Sequence, residues 1–85
     1  MTLDEAYLRA SGHRGEIEAS RLAGCFHCLE VYPAGQVAHW IDGGRTALCP
    51  RCGKDSVLGD RIGVAMKRPF LEKMQARWFP DALTH

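Results

Sequence analysis

Cys25-Phe26-His27-Cys28 and Cys49-Pro50-Arg51-Cys52 decide how this 85-residue chain is read: they hold its only cysteines, in two matched pairs separated by the twenty residues Leu29 to Leu48. Two residues between paired thiolates let both sulfurs reach one metal from a tight turn. Two such knuckles supply the four tetrahedral ligands of a closed structural zinc site. The pattern therefore predicts one structural Zn2+ bound by Cys25, Cys28, Cys49 and Cys52. A metal held by four thiolates has no open position for substrate, so the motif says more about what holds the chain together than about what it does.

At 85 residues the chain is expected to form one domain. A domain of this size buries only about 60 to 65 per cent of its unfolded surface, which leaves a marginal apolar core. Structural zinc contributes on the order of 10 kcal/mol or more to small metal-dependent domains, comparable to the whole stability of an ordinary one. The cysteines could instead form two disulfides. No N-terminal basic, apolar and small-residue pattern marks a secretory signal, however, and paired thiols in a reducing compartment are metal ligands more often than bridges. The expectation is a cytoplasmic protein. No apolar run approaches the roughly 18 residues that cross a bilayer, so no membrane association is expected.

The formal net charge of +1 counts the cysteines as neutral. Four thiolates and one Zn2+ bring the metal-bound chain to about −1. Distribution matters more. Residues 1–44 carry three basic side chains against six acidic ones, whereas residues 45–77 carry eight basic against Asp55, Asp60 and Glu72. The second half is electropositive, as a surface for nucleic acid or an acidic partner would be, or as an ordinary solvated face would be.

Thr2-Leu3-Asp4-Glu5 has capping-box form, and Leu3, Ala6, Tyr7 and Ala10 recur at helical spacing, so a first helix is expected from about residue 3 to 11. Gly12 stops it, and helical composition resumes over 16–21. Gly24 lets the backbone turn closely into the first knuckle. Leu29 to Tyr32 reads as a short strand. Val37, Trp40 and Ile41 fit helical spacing, while Val37, His39 and Ile41 fit strand alternation; a short helix is the preferred reading. Gly43-Gly44 is a turn signal, Thr46 to Leu48 a strand into the second knuckle, and Gly53 supplies a positive φ there. Pro69 opens a last helix whose apolar stripe is Phe70, Leu71, Met74 and Trp78. The expected organisation is an N-terminal helical segment over 1–23, a zinc-knuckle core over 24–58, a loop over 59–68 and a C-terminal helix over 69–79.

The fold class that follows is a small α+β zinc-binding domain, a treble clef or a zinc ribbon flanked by helices. The treble clef is preferred, because the first pair lacks the Cys-x-x-Cys-Gly form of a ribbon knuckle. His39, followed by Gly43-Gly44 and a Cys-x-x-Cys pair, resembles a degenerate HNH endonuclease segment. That family usually has an acidic residue directly before the histidine and a downstream Asn or His on the catalytic metal, whereas this chain reads Ala38-His39 and then Lys54-Asp55-Ser56. Over most of its length the chain more closely resembles a bacterial family of short, functionally uncharacterised proteins often labelled only as cytoplasmic. The resemblance rests on His13-Arg14 with Glu16-Ile17 and Ser20, Cys25-Phe26-His27-Cys28, Trp40-Ile41-Asp42, Thr46-Ala47-Leu48-Cys49-Pro50, Cys52-Gly53, Asp55-Ser56-Val57 and Phe70-Leu71 with Trp78-Phe79. It implies zinc and no known activity.

Outside the cysteines, the candidate partner-binding residues are His13, Arg14, His39, Trp40, Lys67, Arg68 and Lys73. Each has a structural alternative. His13 and Arg14 either bind an anion or cap the end of the first helix, and Trp40 is either core or a base-stacking platform. His27 is read as an exposed knuckle residue, and Asp42 and Asp55 as turn formers rather than ligands of a second metal. The function expected is a binding or adaptor module for protein or nucleic acid, of unknown oligomeric state. The alternative is a metal-dependent nuclease of degenerate HNH type.

Overall fold

The computed structural model describes residues 1–81. They form a small α+β fold with three short helices, α1 (Leu3–Leu8), α2 (Arg14–Glu18) and α3 (Arg68–Trp78). The strands are β1 (Leu22–Cys25), β2 (Val31–Pro33), β3 (Trp40–Ile41), β4 (Thr46–Ala47) and β5 (Val57–Gly59). They make a three-stranded antiparallel sheet in the order β2-β1-β5 and a separate β3-β4 ribbon.

The central strand β1 sorts the core. Its residues alternate across the sheet, so Gly24, with Leu58 opposite, faces α3, while Ala23 and Cys25, with Val57 opposite, face the other way. Helix α3 lies directly on the first face: a Cβ on Gly24 would stand 2.9 Å from Leu71 Cδ1, closer than packed carbons approach. On that side Ala6, Phe26, Leu58, Leu71 and Met74 make one apolar cluster. On the other, Ile17, Ala23, Tyr32, Ala47 and Val57 surround Cys25 and Cys49. Both metal-side cysteines are thus part of a core.

Several local expectations are corrected. The capping box at Thr2 and Glu5 is formed, but α1 closes at Leu8 because the chain must turn at Gly12 (φ 59°). The second helix begins at Arg14 and ends at Glu18, leaving Ser20 to receive the backbone of Arg61. The preferred helix over Val37 to Ile41 is absent. A single 3-10 turn occupies Ala34–Gln36, and Trp40–Ile41 is strand, paired with Thr46–Ala47. The cause is the turn that follows, where Asp42, Gly43 and Gly44 all take positive φ (57°, 68° and 86°) and fold the chain back on itself. The expected loop over 59–68 starts with the end of β5 and a 3-10 turn at Asp60–Ile62. The final helix, Arg68–Trp78, buries Leu71 and Met74 as its stripe requires, and Gln75 with them.

Candidate metal centre

The two knuckles are built alike. In the first, Leu29 N–H closes on the Cys25 carbonyl (2.9 Å), Cys25 N–H on that of Glu30 (3.1 Å), and His27 N–H points at the Cys25 sulfur (3.3 Å). In the second, Gly53 N–H closes on the Cys49 carbonyl (2.9 Å), Cys49 N–H on that of Lys54 (2.8 Å), and Arg51 N–H points at the Cys49 sulfur (3.3 Å). The closing residue has positive φ in both, Leu29 at 67° and Gly53 at 79°. Leu29 therefore adopts a conformation that glycine takes freely and that costs an L-residue about 1–2 kcal/mol. Its side chain offsets part of that cost by packing against the α3 cluster. This equivalence is invisible in the sequence, where only the second knuckle has its glycine.

All four sulfurs lie within 4.8 Å of one another, with Cys25 Sγ to Cys52 Sγ at 3.6 Å and Cys28 Sγ to Cys49 Sγ at 3.7 Å. A tetrahedron with metal–sulfur bonds of about 2.3 Å has edges of about 3.8 Å, so the cluster has the size that a zinc ion requires. The cysteines are free thiols, not two bridges. Cys25 and Cys49 are buried, Cys28 half-buried and Cys52 exposed.

The surroundings tune the sulfurs unequally. Burial pushes the Cys25 thiol well up and the Cys28 thiol up to about 11. Burial opposes the Cys49 thiolate too, but the Tyr32 hydroxyl, the Cys52 and Arg51 amides and the Cys28 thiol outweigh it, bringing Cys49 down to about 7. Metal binding displaces all four protons. Tyr32 and Ser56 were not singled out by sequence. The Ser56 hydroxyl sits 3.1 Å from the Cys25 sulfur. Tyr32 is buried with its hydroxyl short of hydrogen-bond geometry to any neighbour, so in this arrangement it is a polar group facing the Cys49 sulfur rather than a formed bond. The signal that could have found Ser56 is its position four residues past Cys52, directly before the strand whose Val57 pairs with Cys25.

The remaining candidates do not gather into one site. His13 is buried, its Nδ1–H donating to the Arg9 carbonyl at the end of α1 (2.6 Å) and its Nε2 accepting from Ala47 N–H (3.0 Å). Of its two sequence readings the geometry matches the cap, and no ring atom is left for a partner. Burial holds its pKa below the ordinary histidine value. Arg14 lies over the Trp40 ring (4.6 Å to the centroid) and donates to the Gly44 carbonyl (3.1 Å), with Glu18 paired to it. Trp40 is half-buried against the metal-side cluster, so the ring is core on one side and covered by a guanidinium on the other. His39 is exposed, its carbonyl accepting from Leu48 N–H. His27, read as exposed, is instead half-buried, its ring edge-on to Phe79 at 4.8 Å.

Lys67, Arg68 and Lys73 are exposed, yet Arg68 and Lys73 stand five helical positions apart, about 140° around the axis of α3. They flank the helix on different sides. Arg68 is paired with Glu72 and Arg77 with Asp4. Among the described residues, the four cysteines are the one group of three or more His, Cys, Asp or Glu side chains brought within metal-binding distance. No helix of the described residues is long and apolar enough to cross a membrane.

Comparison with protein-family models, curated proteins and solved structures finds no match for this chain.

Proposed function

We propose that this protein is a small structural-zinc module of the zinc-ribbon type whose role is to bind another macromolecule rather than to catalyse a reaction. The observation that carries the zinc reading is the tetrahedral-sized cluster of four sulfurs on two equivalent knuckles. Bound there, zinc would satisfy four thiolates and pin the sheet to the β4 segment. Cys52 is the one fully exposed cysteine of the four, and four sulfurs on one zinc would leave no position for a substrate or water.

Two features favour the ribbon over the treble clef. The residues after Cys52 run into strand β5, which pairs with β1, rather than into a helix. The missing glycine of the first knuckle loses its weight, because Leu29 adopts the conformation that glycine would have supplied. The distant HNH-like outline is set aside on chemistry. His39 is exposed without a converging second group of ligands among the described residues, and a general base needs a neighbouring catalytic metal. The bacterial-family resemblance implies zinc and adds no activity to this reading.

The test is metal dependence of folding. Chelation should unfold the sheet region reversibly, with zinc restoring it. Cys49→Ser should lose metal and structure together. A well-folded, zinc-loaded Cys49→Ser variant would show that the ligand set is wrong.

A further inference from the structure

Between α1, the first knuckle and the end of α3 lies a recess of about 120 Å³, lined chiefly by Tyr7, Ser11, Phe26, Asp55, Ser56 and Phe79. Three of those residues are aromatic, and their rings meet at angles. Tyr7 and Phe26 are tilted by 59° with centroids 6.2 Å apart, and Phe26 and Phe79 by 38° at 5.7 Å. Tyr7 gives one face to Trp78, stacked at 4.3 Å and 2°, so its second face is the one available to anything else. Among the described residues the one charged side chain in the lining is Asp55, exposed and without an ion pair or side-chain hydrogen bond to any of them.

Size and charge together select a ligand class. A cavity of about 150 Å³ holds one benzene, so this recess suits a head group of four or five heavy atoms. It is too small for a nucleobase stacked with its sugar, or for the drug-sized ligands that fill pockets of about 300 Å³ and more. Aromatic faces carry negative potential and attract cations, and a carboxylate at the same recess adds to that attraction. An anion would meet repulsion from both. Phe79 already engages one cation, the Lys54 ammonium 5.9 Å from its centroid.

We propose that this recess receives the cationic head of a lysine or arginine side chain, methylated forms included, presented by a protein partner. The proposal rests on the reading of the chain as a binding module and names the chemistry of its partner. Tyr7, carried by α1, supplies its open π face, buried Phe26 forms the floor behind it, Phe79 closes the side, and Asp55 supplies the countercharge. Lys54 acts as an internal competitor for Phe79.

The experiment is an NMR titration of the zinc-loaded full chain with a short peptide carrying trimethyllysine. Parallel arms use the arginine peptide, the neutral peptide in which carbon replaces the ammonium nitrogen, and free tetramethylammonium. Signals of Tyr7, Phe26, Asp55 and Phe79 should shift with the cationic peptides, which should bind at least about tenfold tighter than the carbon isostere. Asp55→Asn should lower that affinity at least about threefold while zinc content stays at one per chain. Lys54→Gln should leave the affinity unchanged or raise it. Equal binding of the carbon isostere, or weakening by Lys54→Gln, would overturn the cation assignment. Free tetramethylammonium binding as tightly as the peptide would overturn the protein side chain as the source. Absence of any shift would overturn the site itself. Zinc content, measured in every arm, keeps these failures distinct from failure of the zinc reading.

Discussion

Replacing Tyr32 with Phe removes one buried oxygen from beside the metal centre while leaving the ring that fills the core between Ile17, Ala23 and Val57. The two roles the hydroxyl can have give effects of opposite sign. If it is idle, deleting an unpartnered buried polar group relieves about 1–3 kcal/mol, and the variant is more stable with unchanged zinc affinity. If it serves the Cys49 thiolate, the zinc-bound protein loses a hydrogen bond to a charged acceptor, about 1.5–3 kcal/mol. That corresponds to zinc binding weakened about 10- to 100-fold, the range found for outer-shell partners of metal ligands. We expect the second outcome. Competition against a chromogenic zinc chelator reads it directly, with circular dichroism confirming that the zinc-saturated fold is kept. A Tyr32→Phe variant that holds zinc as tightly as the wild type would refute the role assigned to this hydroxyl.

Gly59→Ala should cost about 2–4 kcal/mol, because its Cβ would overlap Ser20 Oγ and displace the bonds that this hydroxyl makes to the Glu16 carbonyl and Arg61 N–H; thermal unfolding in excess zinc should drop by about 10 °C or more. His13 is held neutral in the fold, so the unfolded chain binds more protons and stability falls as pH drops below the unfolded histidine value of about 6.5. The advantage of wild type over His13→Gln, measured by urea unfolding with zinc occupancy monitored, should therefore narrow from pH 7 to pH 5; a constant gap would mean that the ring is not neutral. Because Arg68 and Lys73 flank different sides of α3, duplex DNA should bind weakly, with a log-log salt slope no steeper than about two phosphate contacts give, and Lys67→Ala with Arg68→Ala and Lys73→Ala should change it little. A steep slope flattened by that triple variant would restore the nucleic-acid surface.

The parts of this protein legible in its sequence are those fixed by covalent spacing. Two Cys-x-x-Cys pairs placed all four sulfurs in one cluster, and the capping box and apolar stripe located the first and last helices to within a few residues. What misled was conformation set by tertiary contact. Val37 to Ile41 fits two periodicities equally, and the choice between them is made by three consecutive left-handed residues after it, a turn whose presence the sequence marks but whose hairpin geometry it does not. Leu29 hides a glycine-like conformation behind a hydrophobic side chain, because packing against the α3 cluster compensates its strain. His27 looks exposed in a knuckle until α3 delivers Phe79 to its ring and the Gln75 amide to its carbonyl, contacts that arise 48 to 52 residues away in sequence. The spread of basic residues over a knuckle, a turn and a helix could not be resolved into faces without the helix phase.

The central claim is that four sulfurs hold one zinc, and X-ray absorption at the zinc edge tests it most directly. Protein purified without chelator or acid should contain one zinc per chain with four sulfur neighbours at about 2.3 Å and no lighter atom in the first shell. Metal-free protein that is nonetheless folded, or a first shell containing nitrogen or oxygen, would contradict the account.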